Sequence, residues 1–213
     1  MKNIEISQQE ISLDLILKTS TPHGVIHAGA YIGGASPIYL ANGIKNVCWI
    51  EADPCTFETL KSNIPSEDVA LNVAVCDKDE EVPFIVTNNG QSSSILPLKV
   101  HSVKYPSIVP VNKVTVPGFR FDTLIDMGLI DISKYNFLLM DLQGAEYYAL
   151  KGFEKWLHRI DHIIAEINYE EMYEDCMTID DFDLYMENLG FEKMLATQCG
   201  DFGWGDAYYK RVK

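Results

Sequence analysis

The sequence is poor in the features that announce whole classes of protein. It has no run of five or six lysines or arginines, and 17 basic residues face 31 acidic ones, a net charge of −14. Such a surface repels phosphate backbones and argues against nucleic-acid binding. No apolar run reaches the roughly 18 residues of a membrane span. The first residues, Met1-Lys2-Asn3-Ile4-Glu5, lack the apolar stretch of a signal peptide. Five cysteines (Cys48, Cys55, Cys76, Cys176 and Cys199) are scattered without a CxxC pair, so neither a zinc site nor a disulfide framework is indicated. Repeats and low-complexity tracts are missing too. These absences leave an acidic protein expected in the reducing cytoplasm, with no membrane and no nucleic-acid partner.

What is present is ordinary globular composition, 47% apolar and 23% charged over 213 residues, which suits a single domain over 1–213. Apolar positions at helical spacing, among them Ile4, Ile11 and Leu15, predict a lead-in helix over 4–18, stopped by Pro22-His23-Gly24. Val25–Ala28 then reads as a strand, followed by a glycine-rich turn and a helix over 36–42 closed by Gly43. Strands are predicted over 46–52, 69–75, 136–141 and 162–167. Asp53-Pro54 starts a helix as cap and first residue. Further helices are expected over 145–157 and 178–189, the latter opened by a Thr178 capping signal, and strands over 191–197 and 206–212. Apolar strands alternating with helices predict an α/β, Rossmann-like, mostly parallel sheet of seven strands, with helices on both faces and an antiparallel hairpin at one edge. Residues 82–123 break the rhythm and read as an insertion on the rim where ligands of such sheets bind.

The chemistry-bearing residues fall at strand ends. His27-Ala28-Gly29-Ala30-Tyr31-Ile32-Gly33-Gly34 follows a strand and precedes a helix. Gly29 allows a tight turn, and Gly33 is expected to let the helix pack near the strand. Tyr31 stands where a dinucleotide fingerprint has its middle glycine, which speaks against a pyrophosphate there. Glu51, 22 residues past Gly29 and at the end of the second strand, can accept both hydroxyls of an adenosine ribose. Ala74, at the end of the third, would border the adenine. Asp141 ends a fully apolar strand beside Gly144, with an N-cap as its plain alternative, and Glu166 and Asn168 end the next. Parallel strands point their C-termini one way, so Gly29, Glu51, Asp141 and Glu166 should surround one crevice.

The segments HAGAYIGGAS, WIEADP, LNVAVCDKDEEVPF, QSSSI, RFDTL, LLMDLQGAEYYALKGFE, IIAEI and GWGDAYYKR, over roughly residues 24–211, together resemble the FkbM family of methyltransferases. The resemblance implies a class I methyltransferase fold using S-adenosylmethionine, commonly for O-methylation of sugars, polyketide products or similar small molecules. By position it implies a cofactor loop of Gly29, Ala30, Tyr31, Ile32 and Gly33, with Glu51 and Ala52 at the ribose. Asp141 would lie beside the methionine portion, and Ser92, Ser93 and Ser94 would face the acceptor, a small molecule or glycan. The family usually has an acid where this chain has His27, and often Lys and Glu where it has Met140 and Gln143. His27 and Gln143 are therefore read as altered cofactor contacts.

Methylation of an alcohol requires that its proton leave, so a base or a metal is expected. Asp141 and Glu166 are the candidate bases; His101, inside the insertion, is a third, set against a plain surface histidine. A divalent metal on Asp141, Glu166, Asp201 or Asp206 is chemically reasonable, but no spacing demands it. Two rival readings are a methyltransferase-like binding module without turnover and a nucleotide-dependent oxidoreductase.

Overall fold

Short runs of branched and aromatic residues without polar interruption become strands buried on both faces, and these set the frame of the chain. A computed structural model describes residues 6–7, 12–199 and 201–212. In chain order the elements are β1 (Ile6–Ser7), α1 (Leu13–Ser20), β2 (Val25–Ala28), α2 (Ser36–Ala41), β3 (Val47–Ile50), α3 (Pro54–Asn63), β4 (Val69–Leu71), β5 (Ala74–Val75) and β6 (Glu80–Thr87). They continue with α4 (Val100–Lys104), β7 (Pro110–Phe119), α5 (Phe121–Asp126), β8 (Phe137–Met140), α6 (Glu146–Lys151), β9 (His162–Asn168), α7 (Ile179–Asn188), β10 (Phe191–Thr197) and β11 (Trp204–Arg211).

The main sheet has the order β1-β10-β11-β9-β8-β2-β3-β4. From β9 to β4 all pairs are parallel, and β11 runs antiparallel between β9 and β10. The seven expected strands and their hairpin are present, with two-residue β1 added outside β10. Chain order reverses between β2 and β8, which places the ligand crevice of such a sheet beyond their carboxyl ends.

Alternation along the strands divides the core. Ile26, Ile50, Leu138 and Ile163 pack with Phe121, Leu150, Phe153 and Phe182 on one face. Val25, Trp49 and Phe137 pack with Leu17, Tyr39, Phe57 and Leu60 on the other. The Asp53 cap forms as expected, Oδ2 accepting the Thr56 N–H at 3.0 Å with Pro54 at the first helical position. Gly43, at φ +70°, closes α2.

Five expectations need correction. The lead-in helix starts only at Leu13, capped by Ser12; Ile4 and Ile11 lie outside the described residues. The third strand is divided, because Asn72 turns the chain by donating to the carbonyls of Glu51 (2.8 Å) and Ala52 (3.0 Å). Val69–Leu71 then stays beside β3, while Ala74–Val75 joins a second sheet of order β5-β7-β6. The expected insertion is mostly the β6–β7 ribbon and the turn and α4 between them, but its end, at Phe121, is buried in the core at the start of α5. The helix expected to reach Leu157 ends at Lys151, and Thr178 makes no side-chain cap at α7.

The end of α6 is fixed by packing. A Cβ at Gly152 would stand 2.1 Å from the Cys76 carbonyl oxygen and 3.2 Å from the Arg120 Cα, so only glycine lets α6 meet the small sheet. Gly152→Ala is expected to cost about 1–3 kcal/mol of unfolding free energy through overpacking. Urea denaturation checks this, and an unchanged midpoint would show that the two sheets separate freely here.

Candidate active site

One cavity of about 400 Å³ opens at the carboxyl ends of β2, β3, β8 and β9, within the size range of small-ligand sites. Gly29, Glu51, Asp141 and Glu166 all line it, as the shared strand polarity requires. So do Tyr31, Ala52, Ala74, Ser92, Ser93 and Gln143.

The floor depends on a close backbone approach. Gly29, at φ +77°, lies so near β8 that a Cβ would stand 1.8 Å from the Asp141 carbonyl oxygen. The Asp141 N–H in turn donates to the Ala28 carbonyl at 3.0 Å. Beyond Gly29 the loop is tied to the next strand: the Gly29 and Ala30 N–H groups both donate to the Ile50 carbonyl. Glu51 completes the tie, Oε2 accepting the Tyr31 N–H at 2.9 Å and Oε1 the Asp53 N–H at 2.8 Å. One lone-pair site of its four is thus spent on the loop and one on the Asp53 N–H, leaving the others for a ligand. Burial pushes the Glu51 carboxyl up to about 7.

Two non-glycine residues of the cavity wall have left-handed backbones, Tyr31 at φ 49° and Gln143 at φ 55°. Such strain costs on the order of 1–3 kcal/mol and concentrates at functional sites. The Tyr31 hydroxyl donates to the Asn89 carbonyl at 3.4 Å, and a Cβ at Gly90 would meet the Tyr31 ring at 3.1 Å, so the ring docks against the turn after β6. Gln143 bridges the carboxylates: its Nε2 donates to Asp141 Oδ1 at 2.6 Å and to Glu166 Oε2 at 2.7 Å, and its Oε1 accepts the Tyr173 hydroxyl at 2.5 Å. Burial raises the pKa of both Asp141 and Glu166, with the charges of Asp141, Glu146 and Asp206 adding to the rise at Glu166. Glu146, whose Oε1 accepts the Leu142 N–H at 2.7 Å, is pushed by burial up to about 8.

Other sequence candidates take different places. His27 faces the opposite core, stacked on Trp49 at 5.3 Å and hydrogen-bonded through Nδ1 to the Tyr39 hydroxyl at 3.1 Å. It does not line the cavity, since alternation turns it away from Ile26 and Ala28, and desolvation lowers its pKa to about 4. Ala30, Ile32 and Gly33 shape the loop without lining the cavity. A Cβ on Gly33 would press on Ile64 and Leu60 of the α3 end, not on the strand. Ser94 is withdrawn too, its hydroxyl donating to the Gln143 carbonyl at 2.9 Å. His101 is not on the surface: it is buried in the cavity wall against Tyr105 and Tyr173. Tyr105, Tyr173 and Trp204 were not legible as site residues; only their position in the fold brings them to the cavity. No cluster of His, Cys, Asp and Glu suited to a metal occurs among the described residues, and no helix there is long and apolar enough to cross a membrane.

The family profile of the FkbM methyltransferase domain matches residues 27–193, most of the chain. The chain belongs to the FkbM methyltransferase family. It is an S-adenosylmethionine-dependent methyltransferase. Solved structures agree on the fold. The methyltransferase domain of a bacterial Hen1 protein is 12% identical, with TM-score 0.53 over 94% of this chain and 95% of that one. Magnesium protoporphyrin IX methyltransferase from Synechocystis PCC 6803, solved with S-adenosylmethionine, is 9% identical, with TM-score 0.52 over 94% and 76%. A TehB-like methyltransferase from Corynebacterium glutamicum is 11% identical, with TM-score 0.50 over 96% and 90%. No curated protein matches the chain. The FkbM chain's cavity fits this cofactor in its donor set: apolar Ile50, Val75 and Phe84 beside Glu51, and carboxylates without a lysine or arginine among the lining residues.

The buried carboxyls make a pH prediction for the FkbM protein. Glu51 and Glu146 rise from 4.5 to about 7 and about 8, so the folded chain keeps protons that the unfolded chain releases. Their contribution to stability is full below pH 4.5 and is lost as pH rises through 7 to 8. His27 acts oppositely, but only between its ordinary 6.5 and about 4. Above pH 6.5 the carboxyls alone decide, each still-protonated group costing about 1.4 kcal/mol per pH unit. Tm without ligand is therefore expected to fall between about pH 6.5 and 8.5 in a calorimetric scan. A level or rising Tm would contradict the burial of these carboxyls.

Proposed function

We propose that the protein methylates a hydroxyl oxygen of a small, neutral acceptor, a sugar or similar polyhydroxylated metabolite. The observation that carries this is the chemistry of the cavity wall. It offers carboxylates, amides and hydroxyls, and none of its residues is lysine or arginine. A phosphate or carboxylate on the acceptor would enter against Glu51, Asp141, Glu166 and Asp206 without a counter-charge, which is costly in a desolvated site.

Bound S-adenosylmethionine supplies an electrophilic methyl on a positively charged sulfur. Glu51 is assigned to the ribose hydroxyls, and Ile50, Ala74, Val75 and Phe84 to the adenine. The loop from Gly29 to Gly33 forms the rim, with Ala30, Ile32 and Gly33 setting its shape from behind and Ala52 beside Glu51. Asp141, with the amide of Gln143, is assigned to the ammonium end, where a carboxylate and a hydrogen-bond acceptor favour a cation. His27 supports β2 from the far face. Ser92 and Ser93 face the side left for the acceptor. Alignment of the two reactants in such a cleft supplies several kcal/mol, about 7–11 in the best cases. Asp141 and Glu166 are poor bases in this arrangement: Gln143 holds one oxygen of each, and their raised pKa values favour a shared proton. Their part is to complement the positive charge of the donor.

Transfer of label from methyl-labelled S-adenosylmethionine tests this, with a pool of neutral methyl glycosides in one arm and sugar phosphates and RNA in another. Label is expected in the neutral arm. Label only in the phosphate-bearing arm would overturn the proposed acceptor, and cofactor binding with no transfer in any arm would favour the binding-module reading. Asp141→Ala is expected to lower transfer by about 100-fold or more with an unchanged circular dichroism spectrum. Unaltered turnover in that variant would remove Asp141 from the site.

A further inference from the structure

The cavity is longer than the part assigned to the cofactor. Glu51, Gly29 and Asp141 follow or end the neighbouring strands β3, β2 and β8, and past β8 come β9 and then β11. At about 4.8 Å per strand, β11 lies roughly 10 Å beyond β8. Glu166 of β9 and Trp204 and Asp206 of β11 line that far end. In the antiparallel β9–β11 pair Asp206 stands opposite Glu166, and Trp204 opposite Asn168. Directly opposed residues share a face, so the indole and the two carboxylates stand on one side of the sheet.

The indole is held firmly there. Trp204 is half-buried, and its Nε1–H donates to the Tyr105 hydroxyl at 2.7 Å. The Tyr105 ring is braced in turn by His101 at 4.8 Å and Phe202 at 5.7 Å. The backbone on either side of Trp204 is glycine. A Cβ at Gly205 would stand 2.0 Å from the Thr197 carbonyl oxygen, and Gly203 has φ +83°. Past Gly205, the Asp206 N–H donates to Thr197 Oγ1 at 3.1 Å. Indole has a single polar hydrogen, and Tyr105 takes it. What Trp204 offers the cavity is therefore its apolar π surface, and no other ring of the described residues stacks on it.

An aromatic surface beside carboxylates has a specific complement. A pyranose ring carries C–H groups on one face and hydroxyls around its rim. Those C–H bonds are polarised by the neighbouring oxygens, and an aromatic face is the negative part of its quadrupole. An open-chain polyol has the same hydroxyls but no lasting C–H face. We propose that Trp204 is the specificity-determining residue for the acceptor, a platform on which the C–H face of a pyranose ring stacks while Asp206 accepts a hydroxyl hydrogen from its rim. This rests on the O-methylation reading above. Few polar groups around an apolar surface are the usual make-up of a small-ligand site.

The test reads the ring directly, so it separates this subsite from the transfer on which it rests. With 5-fluorotryptophan incorporated, the whole chain gives one 19F signal each for Trp49, Trp156 and Trp204, the last assigned by Trp204→Phe. In the chain bound to S-adenosylhomocysteine, a pool of neutral methyl pyranosides is expected to shift the Trp204 signal. Trp49, buried in the core, should not move, and alditols at equal concentration should shift neither. An unmoved Trp204 signal, or an equal shift with alditols, would overturn the platform even where label is transferred. A pyranoside-specific shift without label transfer would support the platform and remove the transfer reading instead. For any pyranoside labelled in the pool, Trp204→Leu is expected to raise KM about tenfold, with kcat within about threefold. Loss of S-adenosylmethionine affinity in a folded Trp204→Leu chain would assign the ring to the donor and overturn the proposal.

Discussion

The site depends on how closely the backbone after β2 approaches the end of β8. Gly29 sits where a Cβ would overlap the Asp141 carbonyl, and the Asp141 N–H closes the gap by donating to Ala28. That approach brings the glycine loop and the acidic strand end onto one floor. It also forces the loop across β3, where Ile50 and Glu51 hold it by three backbone N–H groups. The cavity floor is therefore part of the sheet's own edge.

On that floor the chain gathers buried carboxylates, and a neutral amide keeps them together. A carboxylate in place of Gln143 would add a charge between Asp141 and Glu166 and remove the donors that now join them. The amide also reaches away from the floor, where its Oε1 accepts the Tyr173 hydroxyl. One residue thus joins the acidic strand ends to the Tyr173 side of the cavity. Its left-handed backbone shows that the local structure accepts strain to put the amide there.

Much of this frame was legible in the sequence because buried parallel strands have a simple signature. Val25–Ala28, Phe137–Met140 and His162–Asn168 are apolar runs between turn residues, and their common polarity placed Gly29, Glu51, Asp141 and Glu166 at one edge. What failed depended on side chains meeting across long separations. Asn72 divides a run that reads as one strand, and Gly152, just past the end of α6, lies so close to the carbonyl of Cys76, far away in sequence, that no Cβ fits there. His27, read as an altered cofactor contact, is turned by strand alternation into the core beside Trp49. His101 looked like a surface residue, since nothing local in the insertion reveals that α4 folds its ring onto Tyr173.

The most direct test of the account is a calorimetric titration of the purified chain with S-adenosylmethionine, with NAD measured in parallel. The cavity described here predicts saturable micromolar binding of S-adenosylmethionine at one site and no heat from NAD, whose pyrophosphate would meet Tyr31 and the buried carboxylates. Binding of NAD without binding of S-adenosylmethionine would contradict the account at its centre.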